Sequence, residues 1–457
     1  MNRKHSSVGH VTSLVIYTIV ILILLTESCA ALRAPERPLS SVVERAGSLA
    51  SSHSSMSSLK SRPAPSIRSD CGVVADSLSR FATTIRFVKG VDGSFLQEIE
   101  EHGGTYYDNG VAQDALQIFK NHGINYVRLR VWHTPSSGYN DLAHTLTMAR
   151  RVKSLGLGLL IDLHYSDTWA DPGRQTKPAA WAKLSSKQLE KAVHDYTNDV
   201  VTALRNQNTL PEVIQIGNEI TSGILWNTGR VGGAHEDNWP CFAALLKAAI
   251  NGVGDALRAD TSVTSATHAE TILAGDRIAI MLHVDAGGDN AICRWFFDNV
   301  FAQKIPFDLI GLSYYPWWHG NLKDLQHNLN DIALRYGKQI VVVETAYPWT
   351  LDWCDKMDNL VGEKSQLVSD FPATVEGQRD FLEREKSIIE NTSCARGIGM
   401  FYWAPEYISV PGLDSAWENV TLFDFHGGAL SSLNAFADYD TSLSTPITGT
   451  QERARVK

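Results

Sequence analysis

The stretch VIQIGNEI, residues 213–220, carries the reading of the whole chain. Residues 213–216 form an apolar-rich run with the length of a buried strand. Gly217, Asn218 and Glu219 follow, where that strand should stop. A carboxylate carried out of the core on a strand end, with an amide directly before it, invites a functional reading. The plain alternatives for Glu219 are a helix cap or half of an ion pair.

The same texture recurs along the chain. Apolar runs stand at IRFVKGVD (85–92), NYVRLRVW (125–132), GLGLLIDLHY (156–165), VIQIGNE (213–219), RIAIMLHVD (277–285), FDLIGLSYY (307–315), QIVVVET (339–345) and GIGMFYW (397–403). Longer helical patterns separate them. Leu189, Val193, Tyr196, Val200 and Leu204 recur at steps of three and four and make one apolar stripe. The segments DLAHTLTMARRVKSLG, NLKDLQHNLNDIALRYG and TVEGQRDFLEREKSIIE read the same way, and Gly123, Gly156 and Gly337 sit where helices should end. Eight strands alternating with helices predict an α/β fold: a (β/α)8 TIM barrel as a single catalytic domain over residues 80–437. A doubly wound open sheet is the rival. It would want a Gly-rich turn after the first strand, and GVDGSF is no dinucleotide fingerprint.

The 457 residues carry a formal charge of -9 and 44% apolar content, enough for a sizeable core. No long Lys/Arg cluster lies along a predicted helix, so nucleic acid is not an expected partner. Arg3, Lys4 and His5 precede the apolar run SLVIYTIVILIL (13–24), with Ser28, Ala30 and Ala31 after it. Residues 1–31 are therefore expected to be a cleaved signal peptide, with a retained signal anchor as the alternative. Residues 32–79 read as a Ser/Pro-rich linker and 438–457 as a polar tail. The signal reading implies a secreted, extracellular protein without stable membrane association once the signal is cleaved, and a monomer is expected. None of the six cysteines forms a CxxC pair, which argues against structural zinc. Asn391-Thr-Ser and Asn419-Val-Thr are glycosylation acceptors if the chain enters a eukaryotic secretory route.

In a (β/α)8 barrel the active site lies at the C-terminal ends of the strands. Standing there are Asp92, Arg128 and Arg130, Asp162 and His164, Asn218 and Glu219, His283 and Asp285, Tyr314 and Tyr315, Glu344, and Trp403. Glutamates on strands four and seven suit retaining glycoside hydrolysis, which needs an acid/base and a nucleophile about 5–5.5 Å apart. Arg128 would favour an ionised Glu344. Asn218 would donate to a sugar hydroxyl, and Trp403 would offer a flat face to the ring. Tyr314 is expected to hydrogen-bond the nucleophile, and His164, Asp167 and Trp169 to contact substrate. A core histidine, a core tyrosine and a packing tryptophan are the plain alternatives.

The segments RLRVW, IDLHYSDTWADP, IGNEI followed by LWNTGR, SYYPWWHG, VVVETAYPW and FYWAPEYI together resemble glycoside hydrolase family 53, the endo-β-1,4-galactanases. DLHYSDTWADP is the most specific of them, and the likeness spans roughly residues 85–437. It implies that Glu219 is the acid/base and Glu344 the nucleophile. The implied substrate is β-1,4-galactan of type I arabinogalactan, a pectin side chain. The sequence departs from the family at Ala404, Glu406 and Tyr407, where the pattern more often reads like YWEPAW. Some members bind calcium in the loop matching LDWCDKMDNLVGE, so Asp352, Asp355, Asp358 and Asn359 are candidate ligands of a structural calcium. A merely solvated acidic loop is the alternative, and no organic cofactor is expected. Two other functions compete: a retaining β-glycanase acting on mannan or cellulose, and a non-catalytic carbohydrate-binding barrel.

Overall fold

The structure, a computed structural model, describes residues 87–258 and 278–437. The expected signal peptide, linker and tail lie outside the described residues. Eight parallel strands form a closed barrel: β1 (Val88–Asp92), β2 (Tyr126–Val131), β3 (Gly158–Leu163), β4 (Val213–Ile216), β5 (Ala279–Val284), β6 (Leu309–Ser313), β7 (Gln339–Thr345) and β8 (Gly397–Tyr402). Each pairs with the next in sequence, and β8 closes on β1. All eight anticipated strands are present. β4 ends at Ile216 rather than at Glu219 because Gly217 turns to φ 78°, where a Cβ would meet Ile220 at 2.6 Å.

Among the described residues eight α-helices stand between the strands: a short one at Leu96–Glu101, then α1 (Ala115–Asn121), α2 (Leu142–Ser154), α3 (Ser186–Asn206), α4 (Trp239–Arg258), α5 (Asn290–Ala302), α6 (Leu322–Tyr336) and α7 (Val375–Glu390). α3 opens with a reciprocal cap between Ser185 and Gln188, and it buries Leu189, Val193, Val200 and Leu204. α6 opens on the same device, Asn321 with Asp324, and closes on Gly337 at φ 62°. Among the described residues only short 3-10 turns follow β8. One of them, Ser431–Phe436, is tied to α7 by Ser432 on Gln378 and by Lys386 on the Ala435 carbonyl. Among the described residues no helix is long and apolar enough to cross a membrane.

Side chains alternate along a strand, so every second residue faces the barrel interior. Low in the barrel those positions are apolar: Val88, Leu160, Met281, Leu309, Val341 and Phe401. Toward the C-terminal ends the same faces carry Asp92, Arg128, Asp162, Gln215, His283 and Ser313, all buried. β7 breaks the alternation. Its register with β6 runs Leu312 to Val342 and then Ser313 to Glu344, so Val343 is one residue extra. That bulge turns Glu344 into the interior beside Val341 and Val343.

Candidate active site

Ser313, at the tip of β6, stands between the two glutamates. Its Oγ lies 2.7 Å from Glu219 Oε1 and 3.4 Å from Glu344 Oε2. These two legs cap the gap between those carboxylate oxygens at about 6 Å. Glu219 reaches this position from a left-handed backbone, φ 47°, one residue beyond Asn218. It precedes a 3-10 turn but makes no side-chain cap bond, which removes the helix-cap reading. Non-glycine residues held at positive φ are uncommon and cluster at functional sites.

The two carboxylates have different neighbours. Arg128 Nη1 forms an ion pair with Glu344 Oε1 at 2.8 Å, and Tyr315 Oη donates to Glu344 Oε2 at 3.1 Å. The same guanidinium binds Asp92 at 2.9 Å, Asp162 at 2.8 Å and Asn218 Oδ1 at 2.8 Å. Glu219 has no such cation. It receives the Ser313 hydroxyl, and its backbone N–H points at His283 Nδ1, 3.4 Å away. His283 Nε2 lies 2.8 Å from Ser313 Oγ, so imidazole, hydroxyl and Glu219 form a chain.

The titration behaviour follows from these contacts. Burial drives Glu219 well above the usual carboxylate range, and the charges of Glu344 and Asp285 add to the rise. Burial also raises Glu344, but Arg128 and the Tyr315 hydroxyl pull the other way. When one proton is shared between them, it therefore rests on Glu219, and the charge rests on Glu344. Burial depresses His283 well below its ordinary value, with Arg128 adding to the effect, so its imidazole is neutral. Burial opposes the charge on Asp162, yet Arg128 and His164 hold it below the usual range.

An aromatic shelf borders the pair. Trp403 lies under Arg128, 5.6 Å from guanidinium to ring, with its indole N–H unpartnered. Trp169 and Trp417 are half-buried and meet Trp403 edge-on at 6.0 and 6.1 Å. Arg130 is buried among Phe95, Trp132 and Trp169, with its carbon 4.0–5.0 Å from their ring centres.

Several expected contacts fall elsewhere. Tyr314 does not reach Glu344. Its hydroxyl donates to the Gly320 carbonyl at 3.0 Å, and Tyr315 makes the bond to the carboxylate. The cause is strand parity: Leu309, Ser313 and Tyr315 share the inward face of β6, while Tyr314 faces out. Asn218 accepts from Arg128 and donates to the Ala170 carbonyl at 2.9 Å, leaving one amide hydrogen uncommitted. His164 is 2% exposed. Its Nε2 faces Asp162 at 2.9 Å, and its Nδ1 accepts from Trp132 and from the Ala170 N–H, so it braces the network from behind. Asp167 spends its oxygens on the backbone amides of Thr134 and Ala179 and thereby fastens two loops.

The acidic loop after β7 does not assemble as a metal cage. Among the described residues no three His, Cys, Asp or Glu side chains gather to hold a metal. Asp355 accepts from the N–H groups of Met357 and Ser415 and from the Ser409 hydroxyl. Asn359 donates to the Asp352 carbonyl, and Asp352 and Asp358 are exposed. The residues present do not fit the calcium expected there. Of the two glycosylation sequences, Asn391 is exposed. Asn419 is fully buried and gives its amide to the carbonyls of Thr350 and Val361, so it is no acceptor. The departure at Glu406 and Tyr407 is absorbed into the interior. Glu406 accepts from the Phe95 N–H at 3.1 Å, and Tyr407 stacks on the Phe95 ring at 4.1 Å.

Sequence reasoning missed Ser313 and gave Tyr315, His283 and Gln215 no role. The available signal was parity: Ser313 and Tyr315 follow Leu309 by even steps, and Gln215 follows Val213.

Two glutamates at the mouth of a parallel barrel, one wired to a buried cation and the other not, define a barrel glycoside hydrolase. The model for glycosyl hydrolase family 53 matches residues 88–436. An uncharacterized protein of Niallia circulans is 45% identical over 358 residues, 76% of this chain and 93% of its own length. The arabinogalactan endo-beta-1,4-galactanase of Cellvibrio japonicus is 36% identical over 78% of this chain and 92% of its own. The solved family 53 catalytic domain from Ignisphaera aggregans is 36% identical, with a TM-score of 0.69, covering 83% of this chain and 98% of that one. The chain belongs to glycosyl hydrolase family 53.

Proposed function

We propose that this protein is a secreted, retaining endo-β-1,4-galactanase that cleaves the β-1,4-galactan of type I arabinogalactan by double displacement. The observation that carries the reading is the shared serine. One hydroxyl reaches both glutamates, so their facing oxygens are at most about 6 Å apart, which supports the close carboxyl spacing of a retaining pair. Glu344, held charged by Arg128, attacks the anomeric carbon. Glu219 protonates the departing glycosidic oxygen. A galactosyl ester on Glu344 results. Glu219, now a base, activates the water that releases the sugar with its anomeric configuration kept. The free amide hydrogen of Asn218 is available to a sugar hydroxyl, and Trp403 with Trp169 supplies the stacking face. Galactan as substrate rests on the names of the 33–36% identical relatives.

Proton NMR of the first products from linear β-1,4-galactan tests the mechanism. The β-anomer is expected first, and initial α-product would refute retention. A panel of galactan, mannan and cellulose, read by new reducing ends, tests the substrate. Cleavage of either rival polysaccharide in preference to galactan would overturn that assignment. A fluoro-sugar label recovered on Glu344 by mass spectrometry distinguishes the hydrolase from a barrel that only binds.

A further inference from the structure

His283, on β5, is fully buried, with Gln215, Asn218 and Glu219 at one ring nitrogen and Ser313 at the other. Its neutral ring carries one hydrogen, on Nδ1 or on Nε2. The neighbours of Nδ1 choose between them. The Glu219 backbone N–H points at Nδ1 from 3.4 Å, and a backbone N–H can only donate. Gln215 Nε2 lies 3.0 Å from the same nitrogen. That atom is a true amide nitrogen, because it also stands 2.7 Å from Asp162 Oδ1, and an ionised carboxylate only accepts. Asn218 Oδ1, 3.0 Å from Nδ1, is an acceptor, but Arg128 Nη2 already serves it at 2.8 Å. Two donors therefore meet Nδ1, which is left bare, and the ring hydrogen sits on Nε2.

Nε2 lies 2.8 Å from Ser313 Oγ and donates to it. The single Ser313 hydrogen then turns to a carboxylate, and Glu219 Oε1 at 2.7 Å is nearer than Glu344 Oε2 at 3.4 Å. Glu344 is also supplied from elsewhere: Oε2 receives the Tyr315 hydroxyl and Oε1 the Arg128 guanidinium. Glu219 Oε1 is thus an acceptor in both states of the acid. Among the described residues the Glu219 side chain makes no other hydrogen bond, so Oε2 is the oxygen left to carry a proton.

On the reading of Glu219 as the acid/base, we propose that His283 is a positioning residue that, through Ser313, fixes the acid proton on Glu219 Oε2. The hydrogen bonds run one way, from His283 Nε2 to Ser313 Oγ to Glu219 Oε1. In the first step the Oε2 hydrogen passes to the glycosidic oxygen, which keeps the electron pair of the breaking bond to the anomeric carbon. In the second step Oε2 takes a proton from the water whose oxygen bonds that carbon. The ester bond to Glu344 breaks and its electron pair returns to the carboxylate. The imidazole neither gains nor loses a proton in either step.

Nitrogen-15 NMR of the full chain labelled at histidine tests the assignment, with the His283 signals identified by their absence from His283→Gln. Nε2 should be protonated and Nδ1 bare at neutral pH. The opposite tautomer, or an imidazolium, would overturn the proposal. Kinetics give a second test. The shorter amide of His283→Asn does not reach Ser313, whereas His283→Gln places an N–H near the Nε2 position. On aryl β-1,4-galactobiosides, His283→Asn should lower kcat/KM by roughly tenfold or more for poor leaving groups and by less than about threefold for dinitrophenolate, which needs no acid. His283→Gln should recover most of the loss. An equal loss for every leaving group would mean a structural role alone and would overturn the proposal. Should His283→Asn not fold, the tautomer decides. An unsubstituted protein that leaves galactan uncut would count against the galactan assignment, and the imidazole signals would still decide the role of His283.

Discussion

At its floor the barrel closes on Val88, Leu160, Met281, Leu309, Val341 and Phe401. At its rim the same strands present Asp92, Arg128, Asp162, His283, Ser313 and Glu344. Both sets are buried, yet their physics is opposite. The floor gains from removing apolar surface from water, a non-directional effect that tolerates swaps of similar volume. The rim charges are costly to desolvate, and they are sustained only because each finds a partner: Arg128 meets Asp92, Asp162 and Glu344 at 2.8–2.9 Å. Fold and chemistry are thereby separated along the length of each strand. Substitutions at the two ends should fail in different ways.

The sharpest test of that separation is Glu344→Ala. Activity on galactan should fall by roughly four orders of magnitude or more, with Tm nearly unchanged, as judged by initial rates and thermal melts. Near-full activity in this variant would remove Glu344 from the chemistry. Arg128→Met breaks a buried network by removing its only shared cation. It should cost about 3–5 kcal/mol of stability in denaturant titration, and activity with it. It should also raise the Glu344 carboxyl further, moving the acid limb of kcat/KM to higher pH, because the nucleophile must be ionised.

Phe401→Ala probes the floor. Its ring fills the space beside Gly90, where an added Cβ would lie 2.2 Å from Cδ1. A loss of about 3–5 kcal/mol is expected, with kcat at 25 °C intact in the folded fraction. A kcat loss as large as that of the rim variants would show that the two ends are coupled. Ser313→Ala removes the hydroxyl between the glutamates. Because that hydrogen bond holds Glu219 down, its loss should raise the acid further and move the alkaline limb of the pH profile upward. A drop of roughly tenfold in kcat should accompany it. Lower Tm without a moved limb would mean a structural role only.

The smallest effect concerns Glu385 on α7, fully buried behind Thr345 with one oxygen unpartnered. Burial pushes its carboxyl up to about 8. The folded value lies above the unfolded one, so its contribution to stability is intact below about pH 4.5 and is lost as pH rises through about 8. Glu385→Gln should therefore melt about 2–3 °C above the unsubstituted protein at pH 9, and the difference should shrink at pH 4.

The eight strands, the helices between them and the polar residues at the strand tips are legible in the amino-acid order alone. Those features are local: an apolar run, a stripe of period 3.6 and a terminal Gly each follow from the residues that make them. Glu219 and Asn218 were legible for the same reason, since they sit just past a strand end. Which neighbours these groups meet is set by the folded arrangement. Strict alternation would set Glu344 out of phase with Val341 and Val343, and a bulge at Val343 brings it inside. Nothing in QIVVVET marks that extra residue, because a bulge is a property of two paired strands rather than of one. The assignment of the Glu344 hydrogen bond to Tyr315 instead of Tyr314, and of Ser313 to both glutamates, likewise depends on how β6 meets β7. The acidic loop does not gather as a calcium cage: Asp352 and Asp358 stay exposed, and Asp355 spends its carboxylate on the backbone N–H groups of Met357 and Ser415, the latter sixty residues on. Such long-range hydrogen bonds are set by the closing of the barrel, and a linear pattern carries no trace of them.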